Sequence, residues 1–168
     1  MILRVLALSG GVLGGAAASQ FPEFSQQYTQ RLGGAVDALE QVVADFDASA
    51  SASGLSRDAA LAQMQGAEFL ERRRADMERT FDRHARLKAD LAVLDEAGPF
   101  MRAYHAARMT DGDVARAALD AYEPAVPLNM AGAVFAGTGF VAGLLAVWAL
   151  VKLLLWPLSL RRRSARGT

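Results

Sequence analysis

Cysteine is absent from the 168 residues, so no disulfide, thiolate nucleophile or cysteine-ligated metal contributes to folding or chemistry. Histidine occurs only as His84 and His105, 21 residues apart and without an HExxH-type spacing, which leaves little basis for imidazole catalysis or metal ligation. The most informative absence is that of charge. Val5–Pro22 and Pro124–Val151 contain no charged residue, and no acidic residue occurs outside Glu23–Glu123. The middle carries 18 acidic against 12 basic residues, a net of −6, whereas Arg4, Lys152, Arg161, Arg162, Arg163 and Arg166 give the flanks a net of +6. That partition is the pattern of a membrane protein. Arginine outnumbers lysine 16 to 2, a composition common in GC-rich bacterial genomes.

From Met130 the chain reads MAGAVFAGTGFVAGLLAVWALV, 22 uncharged residues where about 20 suffice to cross a bilayer. Trp148 and Trp156 stand at interfacial depth and Lys152 is close enough to the polar end to snorkel. Arg161, Arg162 and Arg163 follow, as expected of a cytoplasmic flank. The first apolar segment, Ile2–Phe21, is shorter and ends in Ala16-Ala17-Ala18-Ser19, which is also compatible with a signal peptide cut after Ala18. Its glycines favour a retained helix. Gly10/Gly14 and Gly11/Gly15 repeat at four residues, the step at which membrane helices approach closely, and Gly132/Ala136 and Gly139/Gly143 repeat it in the second segment. These residues are expected to pack the two helices on each other or on partner helices.

Both ends are then cytoplasmic, and the intervening segment lies across the bacterial inner membrane in the periplasm. Its length removes its arginines from the positive-inside count. The expected divisions are a membrane helix or signal peptide at 1–21, an extracytoplasmic helical domain at 22–128, a membrane helix at 129–158 and a basic tail at 159–168.

Within the middle segment, Tyr28, Leu32, Ala35, Leu39, Val42 and Phe46 follow steps of four and three residues, a coiled-coil seam on a helix running to about Asp47. DASASASG, around 48–55, reads as a hairpin tip. Ser56 caps a short helix ending near Gly66. The return helix, about Ala67 to Ala97, carries Leu70, Met77, His84 and Leu91 at one heptad position and Thr80, Leu87 and Leu94 at the other. Gly98 is suited to a left-handed cap and Pro99 to opening a new element. Pro99–Met109 is suited either to the membrane surface or to a third packed layer. Thr110 or Asp111 caps a helix over Val114–Tyr122, Pro124 and Pro127 break it, and Asn129 caps the last helix. The expected fold is an all-α membrane protein in which two transmembrane helices flank an extracytoplasmic antiparallel helical hairpin or bundle.

No residue set is arranged for catalysis. His84 occupies a seam position, Asp111-Gly112-Asp113 lacks the remaining ligands of a calcium loop, and the Glu and Arg pairs of residues 68–86 have the spacing of a solvated helix face. The expectation is a chain that is not an enzyme, with no catalytic, metal or cofactor-binding residues, no cofactor, no small-molecule substrate and no nucleic-acid partner. Its partners are the lipid bilayer and another membrane protein or a second copy of itself. It is an interaction or scaffold protein, an accessory subunit of a larger complex or a homo-oligomer. The alternative is a sensor-like transmembrane module with a ligand-responsive periplasmic domain.

The segment from Phe21-Pro22-Glu23-Phe24-Ser25-Gln26-Gln27-Tyr28 through Thr29-Gln30-Arg31-Leu32-Gly33-Gly34-Ala35, with Val43-Ala44-Asp45-Phe46-Asp47 and Pro124-Ala125-Val126-Pro127-Leu128, resembles a proteobacterial family of small inner-membrane proteins of unknown function. The resemblance implies the two-anchor layout and close packing at Gly33 and Gly34. It brings no activity, cofactor or catalytic residue.

Overall fold

The computed structural model describes residues 1–122 and 129–164, with side chains through Leu154. Pro124 and Pro127 lie outside the described residues, as do the side chains of Trp156, Arg161, Arg162 and Arg163. All regular structure among the described residues is helical: α1 (Ile2–Ser19), α2 (Phe21–Ala52), α3 (Arg57–Gln63), α4 (Glu68–Asp95), α5 (Pro99–Tyr104), α6 (Gly112–Asp120) and α7 (Met130–Ser164), with a 3-10 turn at Ala106–Arg108. The chain divides into two compact units. The first comprises Met1–Phe24 with Glu123–Thr168, and the second comprises Ser25–Tyr122.

The first unit is built on α1 and α7. Gln20, between α1 and α2, stays right-handed helical (φ −80°, ψ −17°), and the Phe24 amide donates to its carbonyl at 3.0 Å. Pro22 sits at the second position of α2, within the first turn where its missing N–H costs nothing. Asn129 caps α7, its Oδ1 accepting from the Gly132 amide at 2.8 Å. The Phe21 and Phe135 rings stack with centroids 5.5 Å apart. Two helical stretches, Ile2–Ala52 and Met130–Leu154, are long and apolar enough to cross a membrane, and none of the most apolar part of the second is buried.

The second unit buries Tyr28, Leu32, Val36, Val43 and Ala50 of α2, Leu61 of α3, Met77, Leu87 and Leu94 of α4, and Val114 and Ala118 of α6. Two expected seam residues lie outside this core: Val42 is 42% exposed and Leu70 37%. Along α2 the buried positions Tyr28, Leu32, Val36, Val43 and Ala50 step by 4, 4, 7 and 7, and the second step of four carries the inward stripe to Val36 and Val43 instead of Ala35 and Val42. Leu39, Phe46 and Leu91 are half-buried. Leu70 falls in the first turns of α4, where residues 65–73 are all exposed.

The expected tip at 48–55 is largely helical, because alanine has the highest helix propensity and the serines bond back to the turn before. Ser49 Oγ donates to the Asp45 carbonyl at 2.9 Å and Ser53 Oγ to the Ser49 carbonyl at 3.1 Å. The helix stops at Gly54, whose φ of +69° a side chain would strain. The Gly54 amide donates to Ser51 and the Leu55 amide to Ala50, both at 2.9 Å, the pair of bonds that closes a Schellman cap. Ser56 then caps α3, accepting from the Ala59 amide at 3.2 Å. Gly98 is extended (φ −69°, ψ 172°) instead of left-handed, because the residue before a proline is pushed from the helical region, and it serves as N-cap of α5 with Pro99 at the first position.

Candidate functional site

Two constellations stand out, one in each unit. In the first unit, α1 and α7 pack antiparallel through backbone surfaces. A β-carbon built on Gly10 would collide with Val147 and lie 3.1 Å from the Gly143 carbonyl oxygen, and one on Gly14 would collide with the Gly139 carbonyl oxygen and lie 3.1 Å from the Gly143 Cα. One on Gly15 would lie 2.9 Å from the Ala136 carbonyl oxygen, and one on Gly11 2.8 Å from the Phe140 ring. Gly139 likewise faces Gly14 and Ala18, and Gly143 faces Gly10. The structure thus brings together Gly10, Gly11, Gly14, Gly15, Ala136, Gly139 and Gly143. Gly132 is buried one turn into α7, where its amide meets the Asn129 cap. Phe140, absent from the sequence expectation, fills the space left by Gly11; a large residue beside small ones carries no signal of its own. Close approach of this kind gains dispersion contacts along the backbones, the type of force that associates helices in lipid.

Farther along α7, Lys152 Nζ stands 3.6 Å from the centroid of the Trp148 ring, one helical turn before it. The ring face offers the ammonium group a partner where hydration is incomplete.

In the second unit, the Asp111 carboxylate is 7% exposed and gathers its donors from two helices. Arg83 grips it in a fork, Nη2 at 2.9 Å and Nε at 3.1 Å, Arg86 Nη2 lies at 3.5 Å, and the Val114 amide donates to it at 3.1 Å as the N-cap bond of α6. The Asp111 backbone amide donates to the buried Tyr28 hydroxyl at 3.2 Å. Burial pushes the Asp111 carboxyl up, but the Arg83 fork and the Val114 amide outweigh it and hold the group below the usual carboxylate range. Burial raises the Tyr28 phenol, with the negative charges of Asp111 and Asp90 adding to the rise, so it stays neutral at physiological pH. Asp90, also buried, takes Arg108 Nη1 at 3.0 Å, and Arg102 Nε caps the Leu94 carbonyl at 3.1 Å. Arg83 has no local signal in the sequence, because its partner is 28 residues away.

Farther from this network, Phe46 and Phe81 meet edge to face at 5.3 Å, and the Arg57 guanidinium lies 4.6 Å from the Phe81 centroid while bonding Asp47 at 2.8 and 2.5 Å. Lys88 donates to Glu40 at 2.8 Å, and that hydrogen bond with the lysine's charge draws the Glu40 carboxyl below its ordinary value. His84 is half-buried on α4, its Nε2 without a hydrogen-bond partner among the described residues. No group of three His, Asp or Glu side chains able to hold a metal ion occurs among the described residues.

Gly33 and Gly34 make no close packing within the chain: a β-carbon on either meets nothing within 4 Å. Gly34→Ala is therefore expected to stabilise the protein by about 0.5–1 kcal/mol, the ordinary gain for replacing glycine in a helix, with a matching rise in thermal midpoint. A fall instead would place a molecule from outside this chain against Gly34.

These features define an all-helical protein with two helices long and apolar enough to span a membrane. The chain belongs to the family described as Protein of unknown function (DUF2937), whose model matches residues 2–160. No curated protein and no solved structure matches it.

Proposed function

We propose that this chain is a non-catalytic inner-membrane interaction protein, an accessory subunit or self-assembling scaffold, whose two membrane helices form one packed anchor and whose middle domain faces the periplasm. The observation that carries the reading is the antiparallel glycine contact of α1 and α7, which supports the two helices forming one anchor. It favours retention of residues 1–18 over their cleavage, since Ala18 itself lies against Gly139. Charge asymmetry assigns the sides: the acid-free, arginine-bearing ends are cytoplasmic and the middle segment, net −6, is periplasmic. Within that segment, Phe46 with Phe81 and Glu40 with Lys88 pair rising α2 numbers with falling α4 numbers, which supports an antiparallel hairpin. The polar clusters serve to hold its helices together.

Crosslinking and mass spectrometry of the chain after mild extraction from native membranes tests the proposal. The expected result is an intact mass that includes residues 1–18 and reproducible crosslinks from the middle domain to a membrane protein or to a second copy. A lone monomer, or a mass lacking the first segment, would sink it.

Two membrane-length helices on either side of a helical domain favour one second reading, a sensor-like module in which ligand binding to the periplasmic domain moves a membrane helix. Thermal-shift screening of residues 23–123 against small molecules decides between the two. Stabilisation by a ligand favours the sensor, and its absence leaves that reading without support.

A further inference from the structure

The segment after α4 presents apolar side chains that the core does not use. Met101 is 50% exposed and Tyr104 79%, and Phe100 beside them keeps about half of its surface outside. Residues 97–110 are also the longest acid-free run inside the acidic middle segment, with Arg102 and Arg108 as its full charges. Both arginines bond back toward α4, Arg102 to the Leu94 carbonyl and Arg108 to Asp90, which holds α5 in place and leaves its outer surface to Met101 and Tyr104. A half-exposed Arg108 still carries positive charge behind that surface.

The position of α5 in the second unit matters as much as its composition. Arg102 lines one cleft of about 400 Å³ with Asp95 of α4 and with Gln26, Thr29 and Gly33 of α2, so α5 stands at the end of the unit where α2 begins. Gln26 is only five residues along the chain from Phe21, where the first apolar segment ends. A second apolar surface, Phe69 and Leu70, has neither property: it is flanked by Glu68 and Glu71 and borders the cleft lined by Phe46, Ala50 and Leu55 at the far end of α2.

We propose that α5 is an interfacial foot, with Met101 and Tyr104 seated in the headgroup layer of the bilayer that the flanking helices cross. The proposal rests on the membrane reading given above. An aromatic with a polar tip suits that depth, methionine fills irregular acyl packing, and Arg102, whose hydrogen bond goes to the neutral Leu94 carbonyl, adds a positive charge that suits lipid phosphates. The foot fixes the height and tilt of the periplasmic domain above the bilayer.

The cysteine-free chain makes the test direct. Met101→Cys, Tyr104→Cys, Phe69→Cys and Val141→Cys are each introduced into the full-length chain, labelled with an environment-sensitive fluorophore and reconstituted into phosphatidylethanolamine and phosphatidylglycerol vesicles. The expected result is loss of emission at 101 and 104 with lipids carrying a nitroxide near the headgroup, loss at 141 with a nitroxide deep in the acyl chain, and at 69 quenching only by aqueous iodide. If 141 is quenched by deep lipid while 101 and 104 behave like 69, the foot is wrong and the membrane reading stands. If 141 is not reached by any lipid quencher, both fail. Shielding of 101 and 104 from lipid and iodide alike would mean that a protein covers the surface, and the assignment to lipid would be overturned. Two labelled positions guard against a single variant that misfolds.

Discussion

Gly14→Ala is expected to weaken the α1–α7 anchor strongly, as the same change would at Gly139 or Gly143 on the facing helix. The added carbon meets the Gly139 carbonyl oxygen and comes within 3.1 Å of the Gly143 Cα, and both are backbone atoms that no rotamer change can move aside. Overpacking with flexible neighbours costs about 1–3 kcal/mol, and a rigid backbone neighbour places Gly14→Ala at the upper end of that range. Larger residues should separate the helices altogether. The measurement is thermal unfolding of the detergent-purified chain, with Gly34→Ala as a matched control in which the same methyl enters open space and the midpoint moves upward. Equal behaviour of the two variants would refute the backbone contact.

The second large effect is expected from Asp111→Asn. The substitution preserves shape and part of the cap of α6, but it removes the nearly buried charge to which Arg83 and Arg86 are drawn and leaves Arg83 only the exposed Asp113 carboxylate at 3.3 Å. Loss of one partner of a fully buried pair costs about 3–5 kcal/mol. Arg83 is 35% exposed and can recover hydration, so about 2 kcal/mol is the fitting figure here. The pH dependence has a defined sign. A carboxyl held below its ordinary value stabilises the fold fully above the unfolded value near 3.9, and that contribution disappears as pH falls through the lower folded value. Stability of the unsubstituted chain should therefore drop below about pH 4 more steeply than that of Asp111→Asn, the difference isolating this group from Glu40 and Asp47, whose carboxyls are also held low. Parallel curves for the two proteins would mean that Asp111 does not bind its charge partners in solution.

Much of this architecture was legible because it is local. A charge-free run long enough for a bilayer, a serine, aspartate or asparagine ahead of a helix, and glycines four residues apart each act over one or two turns, and Ser56, Asp111 and Asn129 all cap where such residues are expected to. The seam of α2 was legible only to within one position. Ala35 beside Val36 and Val42 beside Val43 satisfy either frame, and the choice lies in the second step of four, which hydrophobicity alone does not encode. The tip was misread for a related reason: alternating alanine and serine has no apolar face, yet it continues a helix until a glycine with positive φ turns the chain. The ion pair of Arg83 with Asp111 lay beyond any pattern, since nothing near either residue indicates the other. Likewise, that Gly14 and Gly33 have opposite surroundings depends on what passes alongside, although the two are the same residue in the same kind of helix.

The spacing of small residues on α1 also sets a register stop. Continuing the four-residue step from Gly10 and Gly14 in either direction reaches Leu6 and Ala18. A slide of one turn, about 5.4 Å, toward one side would press the Leu6 isobutyl group onto Gly143, while a slide the other way would place only the Ala18 methyl where Gly14 now faces Gly139. The parallel row of Gly11 and Gly15 adds Ala7 in the first sense and Ser19 in the second, so the anchor is blocked against axial displacement both ways, with the largest obstacle, Leu6, on one side only. An axial force on these two helices would therefore meet a stiffer stop in one direction than in the other.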